Sequence, residues 1–598
     1  MKKLITLLLL AVFSLSAQAV TVTDYDFIIG NYYYKITSDL KREVELVTNW
    51  EVCYFFTGDV VVPDSVQHNN VWYKVTSIGD YVFSGADLTS LSLPSGIRSI
   101  GEECFSYSRI RGGLVLPDSL RVIKKNAFCA NSGIESIHIP ALVGPLETRS
   151  ISPMLDLQTI TVDSANQYYS SYNGVLYNKD TTVLISCPAG KTGVFVIPDG
   201  VVCIAEASME VCELSSIVIP NTVCTIKTMA FSECEQLTSM HIPASVTHIE
   251  GGIFRGNKRL TDITIDSLNT NYKVIDNVLY SMDMDTLLSY HLASDSVRVL
   301  DGVKVIGMDA FSLINRLSIV VLPEGIETIQ SGAFEWSGVR KINLPNTLKF
   351  IGNGAFTGSS LSNIVIPNSV VHLGEQVFEG VESLVTVVMS DSVKVIPYGA
   401  FNYCQSLRSY TGGASVERIN SRAFSNCESF AKNLVFPSTL KVIEVGAFFD
   451  TDIKTVEFTG IIDTIGRQNF ENLNKLVLLN PTPPYTYNTK VANSIFKTII
   501  PCGATEAYMA DPNWSSYSYT EDCDGVEENP MAAVKVTAGY RSIEVLNAEG
   551  YSVAIYDIMG RCHISEGTTG QNIRHYSLPT AGVYVVRVND RGYKVVVR

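Results

Sequence analysis

A motif that returns every 22 to 24 residues constrains this chain more than any other feature. The segment Leu214-Ser-Ser-Ile217-Val-Ile219-Pro220-Asn-Thr-Val223-Cys-Thr-Ile226-Lys-Thr-Met-Ala230-Phe231 comes back as Leu361-Ser-Asn-Ile364-Val-Ile366-Pro367-Asn-Ser-Val370-Val-His-Leu373-Gly-Glu-Gln-Val377-Phe378. Its anchor is a phenylalanine behind a small or apolar residue, at Phe83, Phe105, Phe128, Phe231, Phe254, Phe311, Phe334, Phe356, Phe378, Phe401, Phe424, Phe448 and Phe470, with Met209 in its place once. Two spacings are longer, 81 residues from Phe128 to Met209 and 57 from Phe254 to Phe311. Within the motif, apolar residues alternate with residues of the opposite face, the period-2 mark of a short strand. Proline, lacking an N–H for the ladder, then ends that strand. The S/T-V-x-x-I that follows predicts a second extended piece, and the Ala-Phe pair a tight turn. One such unit cannot bury its own apolar face, so neighbours must stack to make a core.

The period lies in the range of leucine-rich repeats. The pattern L-x-x-I-x-I-P-x-S-V-x-x-I-G-x-x-A-F-x-x-C resembles the BspA-like leucine-rich repeat family of bacterial surface proteins, over about residues 55 to 480. It departs from that pattern at Asp266, Ser390, Gly413 and Thr459, which replace proline, and at Asn469, which replaces alanine. The fold class expected is therefore an all-β-rich leucine-rich-repeat solenoid of short parallel strands. It carries two β-hairpin insertions and a small C-terminal immunoglobulin-like β-sandwich.

The expected organisation runs as follows. Residues 1–19 read as a secretory signal: Lys2 and Lys3, an apolar stretch from Leu4 to Leu15, and Ala17-Gln18-Ala19 as cleavage site. That stretch is too short to span a bilayer as a helix. Residues 20–80 form an N-terminal β cap, and 81–480 the repeats, with insertions at about 141–197 and 266–300. Pro481-Thr-Pro-Pro484 closes the array, residues 481–525 form a closing segment, and 526–532 are a linker. Residues 533–598 change to short alternating strands separated by Gly550, Gly560 and Gly582. There Tyr556-Asp557-Ile-Met-Gly560-Arg561, then Gly582-Val583-Tyr584, then Lys594-Val-Val-Val-Arg598 resemble a type IX secretion sorting domain. That resemblance implies passage across an outer membrane through type IX export machinery, with the mature protein attached to the outer surface or secreted.

Thirteen cysteines are present. Cys212, Cys234, Cys404 and Cys427 each lie three residues after the anchor, which reads as a small buried packing position. Cys502 and Cys523 lie outside the repeat and are candidates to pair. No C-x-x-C occurs, so a zinc or redox site has no basis.

No catalytic constellation, cofactor fingerprint or metal site emerges. Gly190-Lys191-Thr192 ends like a phosphate loop but has Ile185 where the first glycine is required. The net charge of −15 and the lack of a basic cluster argue against nucleic-acid binding. The residues that remain are those facing outward from the strands: His138, Val218, His241, Val321, Asn343, Val365 and Val388. They are weakly apolar, low in charge and poor in aromatics, a mix suited to protein partners. Sugar platforms need stacked rings, and Tyr168, Tyr169, Tyr172 and Tyr177 in the first insertion are the one such cluster. The family resemblance implies a non-enzymatic adhesin for host or bacterial proteins. The alternative is a glycan-binding or nutrient-capture protein.

Overall fold

The computed structural model describes residues 25–48, 56–111, 113–291, 294–523, 535–539, 542–546, 552–557, 561–567, 573–588 and 591–597. The signal segment 1–19 and the linker 526–532 lie outside the described residues. The chain divides into two compact units, Met1–Met282 and Asp283–Arg598. Each is a parallel β-solenoid with almost no helix.

Each coil has three stacked sides. The first is a strand of three to five residues that alternates exposed and buried, as in Ser136–Ile139 and Ser239–Ile242. It pairs in parallel with the strand one coil on, Ser136–Ile139 with Thr159–Val162 and Ser239–Ile242 with Asp262–Ile265. The second is a two-residue strand that buries one side chain, as in the parallel ladder Val395–Ile396, Arg418–Ile419, Val442–Ile443 and Thr464–Ile465. The third is the Ala-Phe bend. Here the backbone is left-handed two residues before the anchor and again two residues after it. Around Phe105 these are Glu103 and Tyr107, and around Phe424 they are Arg422 and Asn426.

A left-handed conformation costs a non-glycine residue about 1–2 kcal/mol. Some coils avoid the cost with glycine, as at Gly354 and Gly358 around Phe356. The others offset it with hydrogen bonds between coils. Gln376, Phe378 and Gly380 donate their N–H groups to the carbonyls of Tyr398, Ala400 and Asn402 in the next coil, at 2.8, 2.9 and 2.8 Å. Asn469 fits the same scheme despite replacing alanine, because its side-chain carbonyl accepts from Phe448 N–H at 3.1 Å.

The long spacings contain coils whose anchor slot is filled by other residues. Phe128 and Ala130 donate to Ser150 and Pro153, which puts Ile151 in the slot. Cys187 donates to Ser208, the residue before Met209, and Tyr290 donates to Ala310, the residue before Phe311. Insertions of the expected extent, 141–197 and 266–300, therefore shrink. The distances 151 to 187 and 254 to 290 are each 36 residues, about 13 more than one coil. The surplus is a single hairpin in each case. Tyr169–Tyr172 pairs antiparallel with Val175–Asn178 across Asn173-Gly174, both left-handed. Tyr272–Ile275 pairs with Val278–Ser281 across Asp276-Asn277, also both left-handed. Two left-handed central residues match the turn to the strand twist.

In the first unit, the antiparallel strands Phe27–Ile29, Tyr32–Ser38 and Glu43–Val47 join the second ladder through Val71–Ile78. Tyr32 from these strands stacks on Phe56 at 5.5 Å, and Phe56 packs against Phe83 at 5.0 Å. In the second unit, Pro481–Pro484 does not end the parallel stack. Phe470–Val477 pairs with Ala492–Pro501, which pairs in parallel with Tyr519–Asp522. Closure comes after that, from the helix Thr505–Ala510, the disulfide Cys502–Cys523 and the buried Trp514, whose indole N–H donates to Pro484 O at 3.2 Å. Residues 535–597 form two antiparallel sheets, of three and four strands, around a separate core that includes Ile543, Ile555, Tyr584 and Val586.

Candidate functional site

Side chains from successive coils build columns: the anchor and cysteine columns are core, and the outward positions of the first strand face solvent. The anchor column is core. Phe334, Phe356, Phe378, Phe401 and Phe424 stack with centroids 5.1–5.3 Å apart and planes within 12°. Offset stacking of this kind adds about 0.5–1.5 kcal/mol per pair beyond area burial.

The cysteine column is core with one added task. Cys234, Cys404 and Cys427 donate S–H to the anchor carbonyl of the preceding coil, Met209, Phe378 and Phe401, at 3.0, 3.2 and 3.1 Å. Cys212 reaches the carbonyl of Cys187 at 3.7 Å. Asn257 does the same to Phe231 at 2.9 Å, so the position selects a small donor rather than cysteine itself. Burial pushes the Cys427 thiol up to about 12 and raises Cys234 and Cys404 as well, while the hydrogen bond with Cys187, and then burial, raises Cys212, which leaves all four inert as nucleophiles. Cys502 and Cys523 sit near Glu521 but are joined to each other, so that trio has no thiolate to offer a metal.

The outward strand positions form the candidate interaction surface, and the predicted residues do not behave alike. His138 and His241 face solvent. Each is hydrogen-bonded through Nδ1 to the threonine beside it in the next coil, Thr161 at 2.9 Å and Thr264 at 3.0 Å. Val218 is 46% exposed, and Val321 and Val365 are half-buried. The amide of Asn343 is engaged, accepting from Leu322 N–H at 2.9 Å and donating to its carbonyl at 2.8 Å. Val388 is only 1% exposed although it points outward. Its cover lies within the same unit: the strand Arg591–Val597 packs over the neighbouring strand Ser409–Gly412.

The tyrosine cluster does not hold together as a platform. Tyr168 and Tyr172 are 49% and 55% exposed, whereas Tyr169 and Tyr177 are buried. Tyr169 packs inward at the start of its strand, and its hydroxyl accepts from Leu146 N–H. Behind it sits a residue that sequence reasoning missed. Asn166 is buried, donates to the carbonyls of Pro140 and Val143, and accepts from the N–H groups of Tyr168 and Tyr169. Asn269 makes the same four bonds under the second hairpin. The available signal was the repeated Asp-Ser-x-Asn of Asp163–Asn166 and Asp266–Asn269.

In the C-terminal sheets, Asp557 gathers the hairpin that follows it. Its carboxylate accepts from Arg561 N and Nε at 3.0 and 2.8 Å and lies 3.0 Å from His563 Nε2. Tyr584 is buried and donates to Thr580 O at 2.9 Å. Lys594 donates to Ile366 O in the solenoid at 2.9 Å. The backbone at Gly582 is described, whereas Gly560 and Arg598 lie outside the described residues. Among the described residues no helix is long and apolar enough to cross a membrane.

Several solved structures are similar to this chain. A leucine rich cell surface protein of Faecalibacterium prausnitzii is 20% identical, covering 73% of this chain and 94% of its own, with a TM-score of 0.29. The pneumococcal vaccine antigen PcpA is 17% identical over 73% of this chain and 99% of its own, with a TM-score of 0.36. A leucine-rich repeat protein of Bacteroides ovatus is 17% identical over 83% and 100%, with a TM-score of 0.31. A search of curated proteins returns no match. The family model for the BspA type leucine rich repeat region matches in six copies, over residues 64–175, 191–288, 285–408, 349–477 and 406–498. With coils of this period and these matches over most of its length, the chain belongs to the BspA-type leucine-rich repeat family.

Proposed function

We propose that this chain is exported to the outer surface of a bacterial cell, or released from it, and captures extracellular proteins through the outward strand column of its coils. The observation that carries this reading is the column itself. Coil after coil presents a half-exposed valine, threonine or histidine on a rigid ladder, with little charge. Such a strip suits extended, weakly polar protein contacts, whose affinity comes from a few buried anchors rather than from total area. The signal-like residues 1–19 and the sorting-like residues 533–598 support export. No paired acid and base occupies the column, so binding rather than turnover is its chemistry. Host or bacterial surface proteins are the partners, and an adhesin is the role.

The test is antibody accessibility and intact mass of the protein on whole cells of its native host. An accessible form lacking about residues 1–19 and 533–598 is the expected result. A full-length form protected until cells are lysed overturns the reading. A glycan-binding role has one observation in its favour, the two exposed rings Tyr168 and Tyr172 on the first hairpin. Loss of binding to a glycan array on Tyr172→Ala, with protein capture unchanged, identifies it.

A further inference from the structure

Along the outward column of the second unit, one stretch is closed. Val388 and Val435 occupy the same strand position two coils apart, yet Val388 is 1% exposed and Val435 is 45% exposed. The solenoid backbone cannot explain this, since both residues point away from the core. The strand Arg591–Val597, the edge of the four-stranded C-terminal sheet, packs against Ser409–Gly412. Gly592 lies so close to Thr411 that a Cβ there would stand 2.3 Å from Thr411 Cγ2 and 3.0 Å from its Cβ. Only glycine allows that approach. Two residues on, Lys594 extends Nζ to Ile366 O at 2.9 Å and to Asn368 Oδ1 at 3.4 Å. These contacts span three adjacent coils.

We infer that the outward strip at Val365, Val388 and Thr411 is a docking surface whose resident occupant is this chain's own C-terminal sheet pair. While residues 533–598 stay attached, that stretch is closed to other proteins. The fit is that of a removable cover. Thr411 Oγ1 is buried beneath it with no hydrogen-bond partner, a cost that disappears when the strip is bare. Lys594 gives up much of its hydration for one carbonyl and one amide oxygen, and burial lowers its ammonium's pKa. A cleft lined by Asn343, Val365 and Pro367 on one side and Val583 and Lys594 on the other shows that the two faces do not mate fully. A protein that competes for this strip must present an extended edge with a small residue where Gly592 sits. The consequence for capture rests on the reading of the column as a binding surface. The masking does not.

The masking is tested on the full chain, with Cys562→Ser removing the exposed native thiol among the described residues and Cys129→Ser, Cys203→Ser and Cys224→Ser the partly exposed ones. In one arm, Asn368→Asp is treated with a zero-length carbodiimide and digested. Lys594 Nζ lies 3.4 Å from Asn368 Oδ1, which predicts an amide joining the two peptides in most molecules, whereas Asn368→Asp with Lys594→Arg gives none. In the second arm, Val388→Cys and Val435→Cys are labelled with a maleimide. Val388→Cys is expected to react at least tenfold more slowly, and adding Gly592→Arg to bring the rates within twofold. Equal rates before that change, or absence of the cross-link between Lys594 and position 368, overturns the inference. Neither readout involves a ligand, so a failure of surface capture on whole cells leaves the masking intact, and the reverse.

Discussion

The anchor columns of the two units solve the same packing problem differently. In Asp283–Arg598 nine aromatic rings, from Tyr290 to Phe470, fill successive slots without a break. In Met1–Met282 the rings Phe83, Phe105 and Phe128 give way to Ile151, Cys187 and Met209 before Phe231 and Phe254 resume. In this unit charge also enters the bend, both beside Ile151 and Met209 and beside Phe231 and Phe254. Arg149 Nη2 contacts Glu210 Oε1 at 2.8 Å and Met229 Sδ at 3.3 Å, and Arg255 Nη1 contacts Glu233 Oε1 at 2.9 Å. The slot therefore demands apolar volume rather than aromaticity, and the bend tolerates buried ions provided they are paired.

The largest effect that separates the two columns is Phe401→Ala. It leaves a cavity between two stacked rings and is expected to destabilise the second unit by about 3–5 kcal/mol. Hydrogen exchange should show protection lost on both sides of that coil; loss confined to one coil breaks the idea of a cooperative column. Arg255→Leu strands the buried Glu233 and costs about 3 kcal/mol in the first unit. Adding Glu233→Leu should recover most of it, and a non-recovering double variant in urea unfolding argues that the pair does more than neutralise itself.

Gly374→Ala comes next, at about 1–3 kcal/mol, because a Cβ there would lie 2.2 Å from Asn353 N in the preceding coil. The pH dependence is also asymmetric. His291 is buried, and desolvation lowers its pKa from 6.5 to about 3. The unfolded chain thus binds a proton that the folded second unit refuses. Stability is full above about pH 6.5 and falls as pH drops toward 3, by up to roughly 1.4 kcal/mol per pH unit. In His291→Gln that slope should flatten, as thermal melts across this range would reveal. The smallest effect belongs to Cys404→Ala, which removes one S–H donor and a little volume. A loss of about 1 kcal/mol is expected, and Cys404→Ser should retain the bond to Phe378 O.

The period, the strand alternation and the core role of the recurring cysteines were legible because each depends on residue type repeated in register. The disguised coils at Ile151, Cys187 and Tyr290 were not, since the slot accepts any sufficient apolar side chain and the eye follows phenylalanine. The left-handed positions were equally hidden. Arg422, Gln376 and Met229 carry no turn signature, because the neighbouring coil holds their conformation, not their own preference. Tyr169 and Tyr177 appear as part of an exposed cluster, but packing of the hairpin on neighbouring coils buries both. The covering of Val388 depends on a strand some 200 residues later, and local pattern carries no trace of that distance.

The backbone bonds between anchors at the Ala-Phe bend run one way. Each coil donates there to its successor, as Phe378 does to Ala400, while at the short strands the successor donates back, as Gly374 does to Ile351. A chain emerging amino end first thus presents, at every moment, a last coil whose bend donors await residues not yet delivered. Its backward bonds are already made, so it is held but unfinished. Growth of the stack proceeds as a ratchet with one open tooth, and only the closing helix, the disulfide and Trp514 bring that travelling edge to rest.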